Sequence, residues 1–397
     1  MVKLVINSVP TAPGGGLTNL LGLLEGWRNI DADLDITILA SRPETIRELE
    51  AAGWGPNTLR IPLMGTAKRQ LWIRFGLPRL LMRLGADLLL TNTFYVGGAP
   101  CPQVVHHQNL FTCFAGGFSA YLKLGVRFLL ISLGARWALR RADANVFISD
   151  HVRERSERLV PSSRPRNDTI YYGLSERYRD ARPSDDGRDP FRLCAIQSPD
   201  EYKDTGSLLR ALAQLVSDYP QHDWSLDLAG WGNFDAFKQL AAELGVADRV
   251  RWLGYQNPQQ IAEMLRRCAV LVYPSVFEGF GIPLIEAMAS GCPVVAVNST
   301  AIPEAADDAA VLVPPHSPQE IARGVHRVCT DGDFRERLVA RGHARSRQFS
   351  WTRAARQFCR VFARVLHKPI RVDERRPEPA TATAAAEVAT VGLSAGA

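Results

Sequence analysis

The sequence predicts an α/β fold made of two doubly wound parallel sheets in tandem. Three observations lead there. Short apolar runs of strand length alternate with amphipathic helical stretches, and the alternation begins afresh near residue 191. A chain of 397 residues is also comfortable for two domains of roughly 100–200 residues each. With 46% apolar and 22% charged residues, the core can be large without a disulfide or metal staple.

The first domain is expected over residues 1–172. It opens with KLVIN (Lys3–Asn7), the loop SVPTAPGGG and a helical pattern from about Leu17. Apolar runs follow at DITILA (35–40), DLLLTN (87–92), PQVVHHQ (102–108) and ANVFISD (144–150). Residues 173–190, rich in Pro, Asp and Arg, read as a linker. The second domain, 191–345, starts with FRLCAIQS and continues through WSLDLAG, VRWLGY, AVLVYPS, CPVVAV and AAVLVPP, with helical stretches between most of them. A helix over 346–367 is expected to return to the first domain. Residues 368–397 are poor in large apolar side chains and read as a disordered tail. In open α/β sheets ligands sit beyond the carboxyl ends of the strands, so the loops after these runs are where chemistry is expected.

The net charge of +6 and pI near 9.0 suit phosphate-bearing partners or an anionic membrane face and are too mild to argue for nucleic acid. Seven scattered cysteines without a C-x-x-C pair form neither a disulfide framework nor a zinc pattern, so a reducing cytosol is the expected home. Met1 runs straight into a strand without the apolar core of a signal peptide, and no apolar run reaches membrane-spanning length.

The most informative stretch is FEGFGIPLIEAMASGCPVVA, residues 277–296. A strand (AVLVYPS) leads into the loop VFEGFG; Pro283 suits the first turn of a helix, and Gly291 suits its end. Glu278 is thus expected on the loop and Glu286 in the first helical turn. Carboxylates beside the amides of a helix start suit sugar or ribose hydroxyls, and the amides suit phosphate. Taken alone, the pair also reads as a dipole-favoured first-turn glutamate and a solvated loop residue.

This stretch resembles the E-x7-E signature of retaining glycosyltransferases of family 4 (glycosyl transferases group 1), and the resemblance extends from Lys3 to about Leu366. It implies the GT-B fold, two Rossmann-like domains facing each other across a cleft. It also implies that Glu286 binds the ribose of a donor nucleotide and Glu278 the donor sugar or the charge developing near it. Gly279, Phe280, Gly281 and Ile282 would line the sugar and phosphate. Lys203, in PDEYKDTGSLLRAL, matches the family's diphosphate-binding lysine, whereas Gln197-Ser198 stands where the family has Gly-Arg. Ser198 could hydrogen-bond a phosphate but brings no charge.

The resemblance gives several further positions. Gly15 and Gly16, in the turn after the first strand, would line the site from the first domain. After strand QVV, the family's His-Asp aligns with Gln108-Asn109 or, slid by one, with His107. Adjacent strand residues point to opposite faces, so His106 and His107 cannot both face the site. Ser149 matches a strand-end serine or simply caps a helix. Gly230, Gly254 and Tyr255 end strands where the family brackets the base, and NSTAIPE (298–304) is the loop after CPVVAV. The implied chemistry stabilises an oxocarbenium-like centre and a departing diphosphate without a protein nucleophile. No cofactor or metal is required; the donor would be a GDP- or UDP-linked sugar.

Two basic, apolar stretches bear on localisation. In YLKLGVRFLLISLGARWALRR (121–141), Leu122, Val126, Leu129, Leu130, Leu133 and Trp137 share one helical face; the other stretch is AKRQLWIRFGLPRLLMRLG (67–85). Each could lie on an anionic bilayer or pack on the core with its arginines snorkelling. The expectation is therefore a cytoplasmic hexosyltransferase, peripheral at the cytoplasmic face of the inner membrane, acting on a cell-surface polysaccharide or lipid-linked glycan. The alternatives are a non-catalytic partner subunit that binds a nucleotide sugar, or a nucleotide-sugar epimerase of the same fold.

Overall fold

The computed structural model describes residues 1–11, 14–92, 94–108, 126–179 and 187–373. The chain forms two compact units: Met1–Gly173 with the described residues from Ser350 onward, and Leu174–Phe349. The expected tail from 374 onward lies outside the described residues.

In the first unit seven strands make one parallel sheet: β1 (Val2–Asn7), β2 (Leu34–Ala40), β3 (Thr58–Arg60), β4 (Leu88–Asn92), β5 (Gln103–His107), β6 (Ala144–Phe147) and β7 (Asn167–Thr169). Their order is β3-β2-β1-β4-β5-β6-β7. The order reverses between β1 and β4, which makes that junction the switch point where a doubly wound sheet opens to a ligand. The strands β3 and β7 escaped the sequence reading because each is a three-residue edge strand with no buried side chain. The unit's helices are α1 (Gly15–Asn29), α2 (Pro43–Ala51), α3 (Thr66–Leu71), α4 (Leu77–Leu84), α5 (Val126–Arg141) and α6 (Asp150–Leu159).

In the second unit six parallel strands, β8 (Asp189–Gln197), β9 (Ser225–Gly230), β10 (Val250–Gly254), β11 (Cys268–Tyr273), β12 (Val294–Val297) and β13 (Val311–Val313), run in the order β10-β9-β8-β11-β12-β13. Here the switch point lies between β8 and β11. Every residue of β11 is buried, as a central strand covered on both faces requires. The helices are α7 (Thr205–Asp218), α8 (Asp235–Glu243), α9 (Pro258–Arg267), α10 (Ile282–Ala289), α11 (Ile302–Ala306), α12 (Pro318–Thr330) and α13 (Gly332–Ser346).

A last helix, α14 (Trp351–Leu366), packs on α1 in the first unit. Ser350 caps it by accepting from the Arg353 amide, and its buried stripe is Trp351, Ala354, Ala355, Phe358 and Phe362. Phe358 and Phe362 lie against Trp27 of α1, with ring centroids 6.0 and 5.9 Å away. The close approach depends on glycine: a Cβ on Gly22 would fall 2.1 Å from the Trp351 ring, and one on Gly173 2.2 Å from the Trp351 nitrogen. Arg364 closes the contact with a bidentate pair to Asp168 on β7.

In the first of the two basic stretches, residues 67–85 run as α3 and α4 joined without a break by a π-helical turn, Trp72–Gly76. Of residues 121–141, those up to 125 lie outside the described residues, and α5 starts at Val126. It turns its small residues Ser132, Ala135 and Ala138, with Leu139, to the core, whereas Leu133 and Trp137 are 52% and 43% exposed. Leu63, Leu71, Phe75 and Met82 are likewise exposed. The two stretches adjoin at Gly97, where a Cβ would meet both Arg74 and Trp137. Neither 61–86 nor 126–142 contains an acidic residue. Among the described residues no helix is long and apolar enough to cross a membrane.

Candidate active site

In the second unit the loops after β8, β11 and β12 converge at the switch point. Lys203 ends a 3-10 turn, Glu201–Lys203, and the next residue, Asp204, takes a left-handed conformation and caps α7 through the Ser207 amide. Lys203 Nζ donates to Glu278 Oε1 at 2.6 Å, and the Tyr273 hydroxyl donates to the same oxygen at 2.7 Å. Both charged side chains are 16% exposed, so the pair is largely withdrawn from water. The ammonium also lies 5.3 Å from the Tyr273 ring centroid and 5.5 Å from that of Tyr202. Removing either partner would leave a nearly buried charge uncompensated. Burial, then the Glu278 charge, pushes the Tyr273 phenol well above its ordinary range, which keeps it a donor.

Glu286 does not stand where the sequence placed it. Gly281, at φ 99, is the cap of α10, so the helix begins at Ile282 and Glu286 falls in its second turn. The dipole-favoured account therefore does not apply. Instead, burial raises the Glu286 carboxyl to about 7, against the opposing pull of a Tyr178 hydrogen bond and the Arg177 charge. Tyr178 belongs to a 3-10 turn, Glu176–Tyr178, in the stretch read as a linker.

Ser198 is also differently engaged. Its hydroxyl donates to Asp200 Oδ2 at 2.5 Å, so it is committed to a carboxylate rather than offered to a phosphate. Gln197 beside it is 3% exposed, and its amide has no partner among the described residues. Gly230 and Gly254 line a cavity of about 220 Å³ with Phe234 and Trp252 among its walls. A Cβ on Gly230 would fall 2.0 Å from the Gln197 carbonyl, so the β9 end tolerates no side chain there. Tyr255 is 72% exposed at the end of β10.

The first unit gathers a second polar group at its own switch point. Gln108 Nε2 lies 3.0 Å from Asn19 Oδ1, 3.3 Å from Asn92 Oδ1 and 3.4 Å from His106 Nδ1. These side chains come from α1, the end of β4 and β5. Gly15 and Gly16 open α1, and a Cβ on Gly16 would sit 3.3 Å from Gln108 Oε1. His106 is buried edge-on to Phe358 and Tyr172, and burial lowers its pKa to about 3, so the imidazole is neutral. His107 is excluded from this group. It is completely buried on the other face of β5, 3.0 Å from Asn145 Oδ1 and stacked on Phe147, with its pKa lowered to about 4 by burial. Asn109 lies outside the described residues. Ser149 is a helix cap: it accepts from the Val152 amide at the start of α6.

Residues 180–345 match the model of the family described as glycosyl transferases group 1. The match covers this segment, less than half of the chain. Its similar proteins include D-inositol 3-phosphate glycosyltransferase of Corynebacterium kroppenstedtii, 31% identical over 41% of this chain and 38% of that protein. O-antigen chain mannosyltransferase B of Escherichia coli is 35% identical over 32% of this chain and 33% of its own length. The match thus spans about two fifths or less of these relatives. Solved structures extend the likeness in fold to nearly the whole chain. Sucrose-phosphate synthase of Thermosynechococcus elongatus superposes with a TM-score of 0.72 at 18% identity, covering 92% of this chain and all of that one. The Anabaena protein HepE in complex with UDP-glucose gives 0.73 at 18% identity with the same coverage. The chain therefore has the GT-B fold, built from two parallel α/β sheets.

Sequence reasoning missed Tyr273, Tyr178, Asn19 and Asn92. Tyr273 looked like one more apolar residue of a buried strand, and Asn19 and Asn92 reach Gln108 only through the sheet order. None carried a local signal.

Proposed function

We propose that this protein is a retaining glycosyltransferase that moves a hexose of mannose or glucose type from a GDP- or UDP-linked donor to a hydroxyl of a cell-surface polysaccharide or lipid-linked glycan. The observation that carries this reading is the Lys203–Glu278–Tyr273 cluster at the β8/β11 switch point, inside the segment that matches the family. A diphosphate beyond β8 would draw on the Lys203 ammonium. Glu278, held by two donors on one oxygen, would present its other oxygen to the donor sugar. Glu286, with a pKa near neutrality, would accept from ribose hydroxyls when ionised. In the first unit the uncharged Gln108 group suits hydroxyls rather than phosphate. The reaction then rests on a preorganised cation and hydrogen bonds around the departing diphosphate, without a protein nucleophile.

The relatives named for transfer to inositol 3-phosphate and to an O-antigen chain support a hydroxyl-bearing acceptor. The structure titled with UDP-glucose supports a nucleotide-sugar donor. The exposed Leu71, Phe75, Met82, Leu133 and Trp137, set among arginines, support peripheral contact with an anionic membrane face. A non-catalytic subunit that binds a nucleotide sugar is the second reading, favoured by the absence of a cation at Gln197-Ser198 and by the commitment of Ser198 to Asp200. Donor hydrolysis and transfer by wild type, Lys203→Ala and Glu286→Ala separate the two. Activity lost in both variants supports the transferase; turnover unaffected by either change refutes the site.

A further inference from the structure

The loop after β12 carries a residue whose backbone conformation is unexpected. Thr300 adopts φ 51, in the left-handed region. The other described non-glycine residues with positive φ are Asp31, Asp204, Asp307, His316 and His367, types that tolerate this conformation better. Thr300 alone among them is β-branched, the class for which it is a genuine outlier. Such a conformation persists only where the surrounding structure fixes it.

What fixes it is contact with the Glu278 loop. Thr300 Oγ1 accepts from the Glu278 amide at 2.9 Å, and Ser299 Oγ donates to the Val276 carbonyl at 2.8 Å. Two adjacent residues thus grip the loop on both sides of Phe277. From the opposite direction the Val276 amide donates to the Tyr202 carbonyl at 2.8 Å, next to Lys203. The loops after three neighbouring strands, β8, β11 and β12, are tied in series, and the Lys203–Glu278 pair joins the first two.

We infer that Thr300 is a positioning residue: its hydroxyl, brought to the Glu278 amide by the left-handed turn, sets where the Glu278 carboxylate stands against Lys203 and the donor sugar. The inference rests on the function proposed above and adds a residue to it. Thr300 touches no reacting atom; it acts through the backbone of Glu278. Serine keeps the oxygen and lightens the steric load, alanine removes the oxygen, and glycine removes the oxygen while relieving the backbone.

Steady-state transfer kinetics of Thr300→Ser, Thr300→Ala and Thr300→Gly, with thermal midpoints for each and Glu278→Gln as a control, test it. Thr300→Ala and Thr300→Gly should each lower kcat about fivefold to tenfold, the worth of one hydrogen bond, with KM for the donor within about twofold. Thr300→Ser should keep kcat near wild type. The glycine variant separates position from folding, since its backbone accepts φ 51 without strain. Wild-type kcat in Thr300→Ala, or a serine variant as impaired as the alanine one, overturns the inference while Glu278→Gln still shows the site to be real. A silent Glu278→Gln overturns the parent reading and the inference with it.

Discussion

At the switch point of the first unit the side chains that meet are three amides and a neutral imidazole: Gln108, Asn19, Asn92 and His106. At that of the second unit they are an ammonium, a carboxylate and a phenol, with a further carboxylate on α10. The same doubly wound plan ends in opposite electrostatics. Burial produces both results. It strips the proton from His106 and His107, leaving the first site uncharged, and in the second it pushes Glu286 to the edge of ionisation beside the Lys203–Glu278 pair. A fold shared by two units therefore says where a ligand would go, and side-chain chemistry sets the two apart; in the proposed function the neutral site takes hydroxyls and the charged one a diphosphate.

The sharpest way to break this contrast is to compare one substitution in each unit. Lys203→Ala should lower kcat/KM by about 10²- to 10³-fold, as expected when a charge-stabilising donor to a leaving group is lost. Gln108→Ala should cost about tenfold, because it removes neutral hydrogen bonds. Equal losses from both, read by transfer kinetics, would erase the distinction.

A second test uses pH. In its proposed role Glu286 would accept from ribose best as a carboxylate, so with a pKa of about 7 donor affinity should rise about tenfold from about pH 6 to about pH 8 and level off. Glu286→Gln should flatten the curve. Titration calorimetry reads both, and a donor affinity that falls with rising pH would contradict the role given to Glu286.

Stability provides the third and smallest test, because the units should slope in opposite directions. The folded pKa of Glu286 is raised from 4.5 to about 7, so the folded state holds the extra proton and this group's contribution falls as pH rises through that window. For His106 and His107 the folded values are depressed from 6.5 to about 3 and about 4. Their contribution is present above pH 6.5 and is lost as pH falls below it. Hydrogen exchange of β5 and α10 against pH should show the two trends separately; parallel trends would refute the burial argument.

Much of this was legible in the sequence. The strand runs, the two-sheet plan and the convergence on the Glu278 loop follow from local patterns of apolar residues, glycine and proline. The short edges β3 and β7 were not legible, since three half-exposed residues make no apolar run. Glu286 was expected in the first turn of α10, but Gly281 caps the helix and Ile282 opens it, which puts Glu286 just into the second turn. His107 could not be told from Gln108 without the face on which each points. Leu133 and Trp137 read as a core stripe or a membrane stripe; only packing shows that the small residues of α5 face inward. The partners of the named residues, such as Tyr273 for Glu278 and Asn19 for Gln108, are set by strand order across the sheet, and no local pattern encodes that.

The central claim is that the second unit binds a nucleotide-diphosphate sugar through Lys203. Thermal midpoints of wild type and Lys203→Ala, measured against a panel of UDP- and GDP-linked sugars, test it most directly. At least one donor should raise the wild-type midpoint, and the same donor should leave Lys203→Ala nearly unmoved. Equal stabilisation of both proteins, or none of wild type by any donor, would contradict the account.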